Sequence, residues 1–123
     1  MLTINKPEKS GFDIFLSNED FKCAFITAHD QYSFGRIKKI KRHNDSDEVL
    51  VLLQGNAKLV TAESLDEEFA KTALQPNVAY NVNKSTWHYL AVSNDAILFV
   101  AENGRVSCEN TDTADIFHLN IIV

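Results

Sequence analysis

The sequence predicts an all-β domain, a sandwich or barrel of many short strands. Three observations predict it. The apolar segments are of strand length and fall short of helices. Turn residues punctuate them at short, regular spacing. No segment carries an i, i+3, i+4, i+7 apolar stripe over three turns, the mark of an amphipathic helix. At 123 residues, the chain fits one domain and is long enough to bury a core without staples.

The elements follow in order. Residues 17–21 hold one short helical signal, with Ser17 as the cap. Residues 21–28 read as the first strand, and residues 35–42 as a second, with charges interleaved between Ile37 and Ile40. Residues 48–53 form an apolar run of strand length. Gln54, Gly55 and Asn56 follow as turn chemistry, since glycine and asparagine tolerate positive φ. Residues 57–62 then read as the return strand of a hairpin. The acidic residues 62–69 suit a helical turn or a hairpin loop, and residues 68–73 a further strand. Pro76 and Asn77 make a turn before a strand at residues 78–82. A loop at residues 83–86 leads into a strand at 87–92. A tight turn at 93–95 leads into another strand at 96–101. Residues 103–115 are polar and read as a surface connection. The apolar tail, residues 116–123, suits pairing on a sheet edge or packing against a partner subunit. No repeat, low-complexity stretch or linker divides the chain.

Charge limits the partners. Seventeen acids against 12 lysines and arginines give a net charge of −5, which repels phosphate backbones, so no nucleic-acid partner is expected. The basic run at residues 36–42 is a local exception that a solvated or pocket-facing strand explains. The two cysteines, Cys23 and Cys108, form no CxxC pattern and read as reduced thiols. No apolar run reaches the length of a membrane helix, and residues 1–13 lack the apolar centre of a signal peptide, so the expectation is a cytoplasmic protein with no membrane partner. Motifs of serine hydrolases, zincins, P-loops and dinucleotide-binding turns are absent.

The chemistry concentrates around the apolar run. His43 and Glu48 stand at its mouth with four residues between them, and Gly55 follows Glu48 after six more. Downstream, residues 83–88 end in His88 at the start of a strand. Glu-x6-Gly behind a histidine, then a loop and strand opening on a second histidine, resembles the two motifs of the cupin superfamily in its small single-domain form. The resemblance spans about residues 32–102. It implies a double-stranded β-helix, that is, a jelly-roll barrel with a short N-terminal extension, and an interior pocket for a small-molecule ligand. It also implies a divalent-metal site at His43, Glu48 and His88, and a homodimer paired through its sheets. Two imidazoles and a carboxylate suit iron, zinc, nickel or manganese. If the pocket is catalytic, the resemblance implies isomerase, epimerase, lyase or dioxygenase chemistry.

The chain departs from the family pattern at Lys41, where the motif has another histidine. Asn83, Ser85 and Val92 also replace the proline, glycine and asparagine of the second motif. A protonated ammonium cannot ligate a metal. Lys41 and His43 are two apart, so they share one strand face, and Lys41 is a candidate catalytic or anion-binding residue. The rival reading is a metal-free ligand-binding or dimerising module in which Lys41 replaces the metal's charge. Without the resemblance, His43 reads equally as a loop histidine and His88 as a rim histidine bonded to a carbonyl. Asp45 and Asp47 read as turn residues. Trp87, Tyr89 and Tyr80 read as core or interface, His29 and His118 as structural, and Glu102 as a strand end near the barrel mouth.

Overall fold

The computed structural model describes residues 1–123. Ten strands follow one another: β1 (Phe12–Ser17), β2 (Phe21–Thr27), β3 (Lys39–His43), β4 (Glu48–Gln54), β5 (Ala57–Ala62), β6 (Ala70–Ala73), β7 (Ala79–Val82), β8 (Trp87–Val92), β9 (Ile97–Asn103) and β10 (Thr111–Asp115). They form two five-stranded sheets, ordered β1-β2-β9-β4-β7 and β10-β3-β8-β5-β6. All ladders between these strands are antiparallel. No α-helix forms, and no helix is long and apolar enough to cross a membrane.

Strand alternation places the core and the site together. On β9, Leu98, Val100 and Glu102 point inward, paired in register with Ile26, Ala24 and Lys22 of β2. The same three residues pair with Leu52, Leu50 and Glu48 of β4. Across the barrel, Leu90 and Val92 of β8 join Leu59 and Ala57 of β5 in the same core. The interior therefore consists of apolar layers with one charged layer, containing Glu48, Glu102 and His88, at the end. Burial of the apolar layers drives the two sheets together.

A second apolar cluster covers the outer face of the other sheet. Ile37, Ile40, Val60, Ala62, Trp87 and Ile116 are buried there. The loop after β5 and the C-terminal tail cover it through Leu65, Phe69, Ile121 and Val123. The tail pairs with its own chain: Gly35 and Val123 exchange backbone hydrogen bonds of 3.0 and 2.9 Å, and Ile37 N–H donates to the Ile121 carbonyl.

Five expectations need correction. Residues 12–17 form β1, so the strand at Phe21–Thr27 is the second and not the first. Residues 17–21 are not helical: Ser17 ends β1, and the Asn18 side chain accepts from the Asp20 and Phe21 N–H groups in a turn between β1 and β2. The same oxygen chemistry that caps helices also makes Asx turns. Residues 48–62 are not a hairpin, because β4 and β5 lie in different sheets. The turn between them crosses the barrel and packs on the turn from β8 to β9. Ser93 N–H donates to the Asn56 carbonyl, and Asn56 N–H to Ser93 Oγ. Gly55 holds φ +80°, and a Cβ there would lie 2.7 Å from Ala96 Cα. The strand expected at residues 35–42 is β3 and begins at Lys39, not residue 35, because residues 35–37 bond the C-terminal tail instead. Finally, residues 111–115 are a strand on the edge beside β3, not a connection.

Candidate metal centre

The charged layer is built from both sheets. His43 ends β3 and Glu48 begins β4 after a four-residue turn. The loop entering β8 delivers His88, whose register partners are Lys41 on β3 and Thr61 on β5. Ser85 in that loop takes φ +66°, a left-handed conformation that favours glycine. Asp47 secures the loop by accepting from Lys84 N–H at 2.8 Å and from Asn81 Nδ2 at 3.1 Å. These donors hold the Asp47 carboxyl below its usual value. Asp47 is therefore a turn residue, as expected, and it orients the His88 loop.

The three expected ligands converge. Glu48 Oε2 lies 3.0 Å from His43 Nε2 and 3.5 Å from His88 Nε2. The ligand atoms of the three residues all lie within 4.8 Å of one another. Their side chains are only 9, 13 and 11 % exposed for Glu48, His43 and His88 respectively. The second ring nitrogens are engaged elsewhere. His88 Nδ1 donates to the Thr86 carbonyl at 3.0 Å, and His43 Nδ1 meets Thr111 Oγ1 at 2.8 Å. The Thr86 bond puts the proton of neutral His88 on Nδ1 and turns the Nε2 lone pair inward, as metal-binding imidazoles require.

The donor set fits a divalent ion. An ion about 2.0–2.2 Å from each donor holds adjacent donors roughly 3.0–3.5 Å apart, and the observed spacings to Glu48 fall in that range. Burial pushes the Glu48 carboxyl up, but hydrogen bonds and charge from His43 and His88 overcome it and leave it at about 2. Burial alone would lower His88, yet Glu48 and the Thr86 carbonyl raise it above its ordinary value, with Lys41 opposing. Glu48 is therefore an anion that attracts a positive charge from either a proton or a metal.

The layer opens into a cavity of about 730 Å³, within the usual range for small-molecule pockets. Lys39 and Lys41 line it, as the alternation from His43 requires, and neither has a carboxylate within 4.0 Å. Tyr32 also lines it. Burial pushes its phenol up to about 12, Gln31 opposing and the Glu48 and Glu102 carboxylates reinforcing, so it stays a neutral donor. Tyr89 lines the cavity and donates to the Ser33 carbonyl, whereas Trp87 lies in the outer cluster under the Arg42 guanidinium. Tyr80 packs on the main core and bonds Gln75 N–H. His29 accepts from Gln31 N–H in a local turn, and His118 lies in the short turn after β10, so neither joins the site.

Glu102 and Tyr32 were not recognised as site residues from sequence. Glu102 Oε2 lies 4.0 Å from His43 Nε2 with its side chain 7 % exposed. The signal was available: residues 98, 100 and 102 alternate on one strand face, so a buried Leu98 implies an inward Glu102.

No protein-family model and no curated protein matches the sequence. Solved structures do match in shape. A cupin-2 domain protein from Shewanella frigidimarina is 13 % identical, with 80 % of this chain and 82 % of that one covered and a TM-score of 0.54. A 3,4-ketoisomerase from Thermoanaerobacterium thermosaccharolyticum, in complex with TDP-4-keto-6-deoxyglucose, is 18 % identical, with 73 % and 63 % covered and a TM-score of 0.59. KdgF from a Halomonas species is 17 % identical, with 78 % and 79 % covered and a TM-score of 0.57.

Proposed function

We propose that this chain, whose jelly-roll barrel is the cupin fold, binds a small anionic metabolite through a divalent metal held by His43, Glu48 and His88. The observation that carries the reading is the convergence of those three ligand atoms within 4.8 Å at the floor of the cavity. When bound, a divalent ion would polarise a ligand oxygen and stabilise negative charge developing there. The chain's own residues do the rest. His43 and His88 are held by Thr111 and the Thr86 carbonyl. Lys41 and Lys39 offer ammonium groups to the ligand's acidic end, and Tyr32 offers a neutral phenol. Isomerisation, epimerisation, elimination or dioxygenation of a sugar or organic acid is the reaction class that this arrangement suits. The nucleotide-linked keto sugar bound by the ketoisomerase of similar shape supports a carbonyl-bearing substrate.

Metal titration tests the centre. Calorimetry with Mn²⁺, Fe²⁺, Ni²⁺ or Zn²⁺ should give about one equivalent per chain. The pH dependence has a definite sign. His88 is raised above 6.5 and must lose its proton to ligate, so affinity falls as pH drops through its titration, by about tenfold per pH unit for one displaced proton. No uptake of any of these ions at neutral pH removes the reading.

Lys41 and Lys39 also favour a metal-free reading, in which the ammonium groups alone hold the anion. Thermal stabilisation by small carboxylates separates the two. Lys41→Met should weaken it several-fold in the metal-loaded protein. If metal-free protein is stabilised to the same extent, and Lys41→Met abolishes this, the metal-free reading prevails.

A further inference from the structure

Four of the chain's 12 lysines and arginines, Arg36, Lys38, Lys39 and Lys41, line the cavity above the metal centre. Ile37 and Ile40 on the same stretch are buried in the outer cluster, which turns the residues beside them toward the cavity. None of the four cations has a carboxylate within 4.0 Å. Asp115, the register partner of Lys39 on β10, accepts from Phe117 N–H at 3.0 Å instead. The register partner of Lys41 is Thr113, a neutral hydroxyl that lines the same cavity. Such a gathering of like charges, in a chain of net charge −5, makes a local positive field that a bound anion relieves.

Arg36 is also fixed in place. Its Nε and Nη2 donate to the Phe117 carbonyl at 3.0 and 2.6 Å, and its guanidinium carbon lies 3.6 Å from the centroid of the Phe117 ring. Its other N–H donors stay free for a ligand, and a group already held loses little freedom on binding. The cations are set apart from the metal floor. Lys41 and Lys39 stand two and four residues from His43, about 7 and about 13 Å along the strand, and Arg36 and Lys38 precede β3.

We infer, resting for the ligand's other end on the metal centre proposed above, that Arg36, Lys38, Lys39 and Lys41 form a phosphoryl-binding subsite. The ligand is then a phosphorylated metabolite whose opposite, oxygen-bearing end reaches the ion. A phosphoryl group places up to two charges and three acceptor oxygens on one centre, which suits a forked guanidinium beside several ammoniums. A single carboxylate would leave most of these cations unneutralised.

The test is calorimetry with inorganic phosphate and pyrophosphate on metal-free protein, with malonate as the carboxylate control and ionic strength held constant. Phosphate or pyrophosphate should bind more tightly than malonate. Lys38→Gln combined with Lys39→Gln should weaken that binding by at least about tenfold. Both side chains are exposed, so this variant serves even if substitution of Arg36 loosens the tail. Lys58→Gln combined with Lys71→Gln removes the same charge from β5 and β6 and should have little effect. In Mn²⁺-loaded protein, paramagnetic relaxation of the phosphorus resonance should place the bound anion roughly 7–13 Å from the ion. Equal losses in the two double variants, no preference over malonate, or phosphate bonded directly to Mn²⁺ each overturn the inference and leave the metal centre standing. Phosphate binding that only Lys38→Gln with Lys39→Gln weakens, in a parent that takes up no metal, sustains the subsite and removes the metal centre alone.

Discussion

Alanine in place of His88 is expected to weaken divalent-metal binding by more than about 100-fold, and alanine at both His43 and His88 to abolish it. Disturbing residues that merely support a metal's ligands costs about 10–100-fold, so removing a ligand costs more. Both imidazoles already meet Glu48 Oε2, at 3.0 and 3.5 Å. Neither ring therefore has to travel to form the site, and removing either leaves a gap that no other imidazole fills. The metal-free protein should suffer as well. Glu48 is buried, and the two histidines hold its carboxyl at about 2. Without them burial is unopposed, and the carboxyl rises toward or above its ordinary range. The contribution of Glu48 to stability is present above the unfolded carboxyl value and is lost as pH falls through about 2. In the double variant that acid limb should move to higher pH. Calorimetric titration and acid unfolding check the two parts. Unchanged affinity in the double variant would place the metal elsewhere and end the proposal for this site.

Leu98→Ala is expected to be among the most damaging core substitutions, costing about 2–5 kcal/mol. Leu98 is fully buried on β9, between β2 and β4, with Ile26 and Leu52 as its register partners. Its side chain fills the innermost apolar layer, where close-packed neighbours on three sides relax little to refill a cavity. A domain of this kind has about 5–15 kcal/mol in total, so the loss is a large share. The melting temperature should fall by on the order of 10 °C. Urea unfolding should show a lower midpoint at unchanged slope. A cost below about 1 kcal/mol would mean that the two sheets do not depend on this layer.

Much of the strand pattern is legible in the sequence, and the exceptions have physical reasons. β5 and β8 begin and end at the bounds read from the sequence, residues 57–62 and 87–92, where apolar runs of strand length meet turn residues. β1 is hidden because a bulge between Ile14 and Leu16 breaks its period. β10 is hidden because its cavity-facing residues, Thr111 and Thr113, are themselves polar and Ala114 is its one apolar residue, so alternation leaves little hydrophobic trace. The crossing between β4 and β5 is invisible for another reason. Turn chemistry fixes a local reversal and says nothing about which sheet each arm joins. Among the site residues, His43, Glu48 and His88 are found through motif spacing. Lys41 follows from His43 by parity and does line the cavity. Glu102 belongs to no motif, and only the inward sequence of Leu98 and Val100 points to it.

Trp87 is the only tryptophan in the chain. It lies with its ring 4.6 Å beneath the Arg42 guanidinium and is covalently adjacent to His88. Its backbone leads directly to one candidate ligand, and Arg42 is next to another, His43. The lone indole thus adjoins His88 through one peptide unit and reaches the neighbour of His43 through the guanidinium stacked on its ring. Its ultraviolet emission gives the protein a built-in optical gauge of this end of the barrel, usable without an attached dye.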